Sequence, residues 1–151
     1  GWSTGGGDQP YAFTRQTYIT SFTTGPSAGY GGSGYYYYAN AYRTGSRYHY
    51  TGDLFTLAYD GSACSAPGQV VATVTFHYHM YGYRMGTLQL EESTDGVSWA
   101  TIWTKSGDQG NSWQGATVIV STPSSRQSGS ESESAPSRCA TPHNASAEAT
   151  R

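Results

Sequence analysis

The sequence predicts an all-β protein, an antiparallel β-sandwich followed by a disordered tail. Three observations carry that prediction. Residues 70–80 alternate apolar and polar side chains with a period of two, the pattern of a strand with one face in a core. The composition suits pleated sheet: there are 14 tyrosines and 20 glycines, against a single lysine at Lys105. No Trp, Tyr, Phe, Leu, Ile or Val follows Val120, so the remainder cannot bury enough apolar surface to offset the entropy of ordering it. The expected division is therefore a sandwich domain over 1–121 and a disordered serine-rich tail over 122–151. At 151 residues the chain holds one core of ordinary size and not two.

The strands follow in order. Tyr35–Ala41 is an aromatic run entered through Gly31-Gly32-Ser33-Gly34, where the glycines supply turn conformations. Leu54–Ala58 is a short strand after Thr51-Gly52-Asp53. Val70–Met80 is the clearest. Val70, Ala72, Val74, Phe76, Tyr78 and Met80 make one face; Val71, Thr73, Thr75, His77 and His79 make the other. Tyr81–Gly86 turns the chain, and Thr87–Glu92 returns with Leu88 and Leu90 inward. Asp95-Gly96 is a hairpin signal leading into Val97–Thr104. Ala116–Val120, after Trp113, closes the set. Several short strands at this spacing describe an antiparallel sandwich, and no internal repeat is present.

Composition excludes several functions. The net charge is −2 and the eight basic residues are scattered, leaving no basic stripe to displace counterions from nucleic acid. A membrane span takes roughly 20 consecutive apolar residues, and no such run exists, so no direct membrane insertion is expected. The chain shows no signal peptide and starts at Gly1, which reads as an excised or processed piece. Cys64 and Cys139 lack CxxC spacing, so zinc-ribbon or thioredoxin-like chemistry has no anchor. A Cys64–Cys139 bridge and two separate thiols are both compatible with the sequence. Asn144-Ala145-Ser146 is a glycosylation sequon, with Asn144 the acceptor.

Candidate chemistry is sparse. His77 and His79, two apart on a strand, would share a face and could reach one cation, with His49 or Glu91 as a third ligand. The simpler expectation is that both rings lie on the outer sheet face and hold no metal. Glu91, Glu92 and Asp95 suggest a glycosidase carboxylate pair, but adjacent strand residues point to opposite faces. No G-x-S-x-G elbow anchors a serine triad. No cofactor is implied and no catalysis is expected. Tyr35, Tyr36, Tyr37 and Tyr38 are candidate surface aromatics for binding, alternate members packing inward, because tyrosine presents a rigid apolar face with a polar tip. Trp99, Trp103 and Trp113 are expected in the core.

Residues 76–90, FHYHMYGYRMGTLQL, resemble the central signature of MAM domains: an aromatic, Tyr-His-Met-Tyr-Gly, then Gly-x-Leu-x-Leu. Thr24-Gly25-Pro26, the Gly34–Tyr38 strand, and Trp99, Ile102-Trp103, Gly107 and Trp113 resemble further family segments in the same order. Together these span roughly residues 2–120. The resemblance implies a jelly-roll β-sandwich on secreted or cell-surface proteins, mediating adhesion or assembly without chemistry of its own. There are departures. The family's cysteines are replaced or absent, one of them at Thr73; Cys64 matches no family position; and Asn40 stands where the family has an acidic residue, so no calcium site is carried over. The terminal strands of the family are replaced by the serine-rich tail, which makes the sandwich look incomplete and truncated at both ends.

The function expected is thus an extracellular or cell-surface recognition module with a protein partner or self-association. A carbohydrate-binding jelly roll with a glycan ligand is the alternative. A cupin-type metal enzyme comes third, since no second ligand cluster is visible.

Overall fold

The computed structural model describes residues 2–4, 11–19, 24–39, 42–43, 47–48, 55–59, 70–83, 85–93, 97–120 and 138–144. Among them the strands are β1 (Trp2–Thr4), β2 (Tyr11–Ala12), β3 (Thr14–Gln16), β4 (Tyr36–Tyr38), β5 (Tyr42–Arg43), β6 (Arg47–Tyr48), β7 (Phe55–Tyr59), β8 (Val70–Tyr78), β9 (Thr87–Glu92), β10 (Ala100–Ser106), β11 (Gln114–Ile119) and β12 (Arg138–Asn144). A single 3-10 turn, Tyr30–Gly32, precedes β4. The described chain is all-β, and no helix in it is long and apolar enough to cross a membrane.

β8 is the axis of the fold. β11 pairs with it antiparallel from Gln114↔Tyr78 to Ile119↔Thr73, and β12 pairs with its other edge in parallel. β9 and β10 form an antiparallel hairpin of their own. β1 and β2 flank β7, antiparallel and parallel respectively. β3 pairs with β4 and β5 with β6, both antiparallel.

The inward face of β8 follows the two-residue alternation. Phe76, Tyr78 and Met80 are buried with Val118 of β11, while Val74, Ala116, Met85, Leu88, Leu90, Ile102 and Trp103 pack around them. One layer is thus β8 and β11; the other is the β9–β10 hairpin laid face to face on it. Trp103 sets its ring edge-on to both Phe76, at 5.0 Å, and Tyr78, at 5.1 Å. Each fully buried side chain of this size contributes about 1.5–3 kcal/mol, so among the described residues this seam is a large source of stability. β10 carries a bulge between Thr101 and Trp103. The extra residue lets Ile102 and Trp103, which are consecutive, both face the core.

A second cluster forms around β4. Phe13, Tyr36, Tyr38 and Ala39 are buried, and Phe13 meets Phe55 of β7 edge-on at 6.2 Å. Gly34, with φ of 83°, takes the left-handed turn that delivers the chain into β4.

The strand pairings add to the sequence reading. Two of the pairings, β2 with β7 and β12 with β8, are parallel. Backbone pairing sets these contacts, and no side-chain pattern announces their direction. β12 falls within the segment 122–151; the other residues of that segment lie outside the described residues. Cys64, His49 and Asp95 also lie outside them, so a Cys64–Cys139 bridge, a His49 ligand and the Asp95-Gly96 turn do too.

Candidate functional site

The residues singled out for chemistry sit at one end of β8, and the structure separates them. His77 is the last outward residue of β8 and half-buried. Its ring stacks on Tyr30 at 3.5 Å between centroids, tilted by 16°. His79 lies one residue beyond the strand. It was expected on the outer face, and instead it is 2% exposed. It packs edge-on to Trp113 at 5.7 Å and to Tyr81 at 6.4 Å. Its Nε2–H donates to Asn111 Oδ1 at 3.1 Å. With the Asn111 carbonyl oxygen facing the ring the proton sits on Nε2, and among the described residues Nδ1 is buried without a partner. Burial lowers the His79 pKa below 6.5, and the Asn111 bond only partly opposes the shift.

The two histidines therefore have separate partners. Glu91, the proposed third ligand, is exposed and accepts a hydrogen bond from the Thr101 hydroxyl across the hairpin at 3.5 Å. Among the described residues no group of three His, Cys, Asp or Glu stands together. Glu91 is exposed and Glu92 half-buried, on alternate sides of β9, so they do not form a carboxylate pair.

Trp113 is the hub of this region. Its indole N–H donates to the Ala28 carbonyl at 3.1 Å, and its ring meets Tyr30 and Tyr36 edge-on. Tyr36 in turn donates from its hydroxyl to the Tyr18 carbonyl at 2.7 Å. The loop before Trp113 is fastened to the end of β8 by backbone bonds. Gln109 N–H donates to Met80 O at 2.7 Å, and Gly107 N–H to Gly86 O at 3.0 Å. The Asp108 carboxylate accepts from Gly82 N–H and Gly110 N–H.

The tyrosine run splits by alternation. Tyr36 is fully buried and Tyr38 is buried, which removes both from the candidate binding surface. Tyr35 is 56% exposed, and Tyr37 is half-exposed on the same side. The tryptophans split as well. Trp103 and Trp113 pack inside, while Trp99 is 57% exposed at the head of β10, contrary to its expected place in the core. It precedes the bulge and faces away from the seam that Trp103 fills. Val97, two residues earlier, is 82% exposed. Asn144 is the last residue of β12, its backbone opposite His77. Sequence reading missed Arg15, Tyr30 and Asn111, because each acquires its role from a partner 20 or more residues away, and no local motif marks such pairings.

The described residues form an all-β fold whose aromatic side chains are shared between core and surface. Comparison with known proteins agrees: the family model "MAM domain, meprin/A5/mu" matches residues 1–135, and the chain belongs to that family. Neuropilin-1a of Danio rerio is 31% identical over 104 residues, covering 66% of this chain and 10% of that protein. MAM domain-containing glycosylphosphatidylinositol anchor protein 1 of Gallus gallus is 32% identical over 129 residues, covering 75% and 12%. Neuropilin-1 of Xenopus laevis is 33% identical over 96 residues, covering 52% and 10%. The chain thus spans 10–12% of the length of these relatives. No solved structure matches it. Family membership places the chain outside the cell or at its surface, among modules of adhesion and protein interaction that are mainly non-catalytic.

Proposed function

We propose that this chain is a non-catalytic protein-recognition module, and that it meets its protein partner through the Val97–Trp99 corner. The observation that carries the proposal is the exposure of Val97 and Trp99, 82% and 57%, in the connection leading into β10, whose other tryptophan packs against the core. An exposed tryptophan is the residue type that anchors interfaces, and Trp99 stands immediately before β10. Self-association through the same corner is the homophilic form of this reading. Asn144 is the proposed glycan acceptor.

Adhesion of chain-coated beads to cells tests the proposal. Protease treatment of the cells should abolish adhesion, and Trp99→Ala should weaken it by about tenfold or more, the effect of losing a hot spot. The variant should melt as the parent does, because Trp99 lies outside the core. Adhesion that survives both protease treatment and Trp99→Ala would move the ligand to another class or another face.

A further inference from the structure

β3 and β4 form a ribbon with two unlike faces. Tyr36 and Tyr38, opposite Gln16 and Thr14, turn their rings into the protein. Arg15 and Tyr37 stand directly across from one another on the other face, and Tyr35 joins them by alternation. Arg15 is exposed, and its guanidinium carbon lies 3.6 Å from the centre of the Tyr35 ring. The ring supports the guanidinium through a cation–π contact, and the exposed side chain keeps N–H donors available to a ligand. Among the described residues Arg15 has no carboxylate partner and no side-chain hydrogen bond. A guanidinium so held is preorganised for an anion that accepts two parallel hydrogen bonds.

We propose that Arg15, Tyr35 and Tyr37 form a binding face for an anionic sugar, a pyranose carrying a carboxylate or sulfate. Arg15 takes the anion. Tyr37, half-exposed, offers a flat apolar surface to the C–H face of the sugar ring. Tyr35 is a positioning residue that keeps the guanidinium in its stacked orientation. Arg15 and Tyr37 are directly opposed across the ladder, so one ligand can meet both from the same face. An acidic peptide would use Arg15 as well, but it has no need of the flat ring across the ladder. The pairing of a stacked cation with a second tyrosine face therefore favours the sugar. This site is separate from the Val97–Trp99 corner and does not depend on the protein-partner proposal.

Calorimetric titration of the full chain tests it, with four probes. Hyaluronan hexasaccharide carries carboxylate alone, and heparan sulfate hexasaccharide carries carboxylate and sulfate. A neutral maltohexaose and a tyrosine-sulfated peptide serve as comparisons. At least one acidic oligosaccharide should bind, more weakly as salt is raised, and which one binds identifies the anion. The neutral sugar should not. Arg15→Gln should weaken binding by about tenfold or more. Arg15→Lys should also weaken it, because an ammonium keeps the charge and loses the planar fork. Tyr37→Ala should act similarly. Tyr37→Leu, which preserves apolar bulk in the strand, should reproduce the loss without a change in melting temperature. Three outcomes would overturn the proposal: neither acidic sugar binds at millimolar concentration, Arg15→Gln leaves binding unchanged, or the peptide binds as tightly as the sugars and ignores Tyr37→Leu.

Discussion

Truncating Phe76 to alanine should cost several times more stability than truncating its neighbour His77, and the structure supplies the magnitudes. Phe76 is 6% exposed, edge-on to Trp103 at 5.0 Å and 6.2 Å from the Tyr78 ring. Its burial is worth about 1.5–3 kcal/mol. The cavity left by the ring adds to this, because its neighbours belong to two layers already locked in register, so Phe76→Ala should cost about 3–5 kcal/mol. His77 is half-buried and stacked on Tyr30. Losing such a contact costs about 0.5–1.5 kcal/mol, more than for a fully exposed residue and well below Phe76. With a urea slope near 2 kcal/mol per M, Phe76→Ala lowers the midpoint by roughly 2 M and His77→Ala by roughly 0.5 M. Urea unfolding followed by circular dichroism measures both. If His77→Ala costs as much as Phe76→Ala, the β8 register is one residue out and the assignment of its two faces fails.

Four further outcomes follow from the same geometry. The His79 pKa is lowered in the folded state, so below pH 6.5 the unfolded chain binds more protons than the folded one. Stability should be complete above 6.5 and should fall as pH drops from there toward the lowered value; urea midpoints at about pH 7.5 and about pH 5.5 should differ less in His79→Gln than in the parent, and an equal difference would show that His79 is not the titrating group. Asp108→Ala should cost about 1 kcal/mol and speed hydrogen exchange at the Gly82 and Gly110 amides it holds; unchanged exchange would mean the carboxylate does not hold that loop. A Cβ on Gly29 would stand 2.4 Å from the Ser33 carbonyl oxygen, whereas one on Gly115 would meet the His77 ring at an ordinary 3.7 Å. Gly29→Ala should therefore cost roughly 1–3 kcal/mol and Gly115→Ala should be neutral or mildly stabilising, an order that thermal melts can reverse. Trimming the chain at residue 121 should speed exchange of the β8 amides if β12 supports that edge; unchanged protection would return the domain boundary to 121.

What could be read from the sequence, and what could not, divides by the range of the interaction. The faces of β8 were legible because Val74, Phe76, Tyr78 and Met80 repeat every second residue, and burial enforces that period. Leu88 and Leu90 followed for the same reason. His79 was misplaced because Trp113 and Asn111 draw its ring inward, and no local pattern marks those distant partners. Trp99 was misplaced because the bulge between Thr101 and Trp103 breaks the period, and no residue type marks a bulge of this kind. β12 was invisible because Arg138–Asn144 has no alternating apolar residues and carries Pro142, which lacks an N–H for the ladder. The Tyr30–His77 stack and the Arg15–Tyr35 contact join segments far apart in the chain, and a single sequence does not reveal their partners.

The burial of His79 against Trp113 has a spectroscopic consequence. An excited indole gives up an electron readily to a nearby imidazolium and hardly at all to a neutral imidazole. Trp113, 5.7 Å from the His79 ring, should therefore emit normally while His79 is neutral and dim when it takes a proton in the folded state. Trp99 faces solvent and Trp103 lies among Phe76 and Tyr78, so neither has a histidine beside its ring among the contacts described. The protein thus carries its own optical proton gauge: quenching that precedes the loss of structure on acidification would report the proton reaching Nδ1, and quenching that coincides with unfolding would report that the ring is reached only when the fold opens.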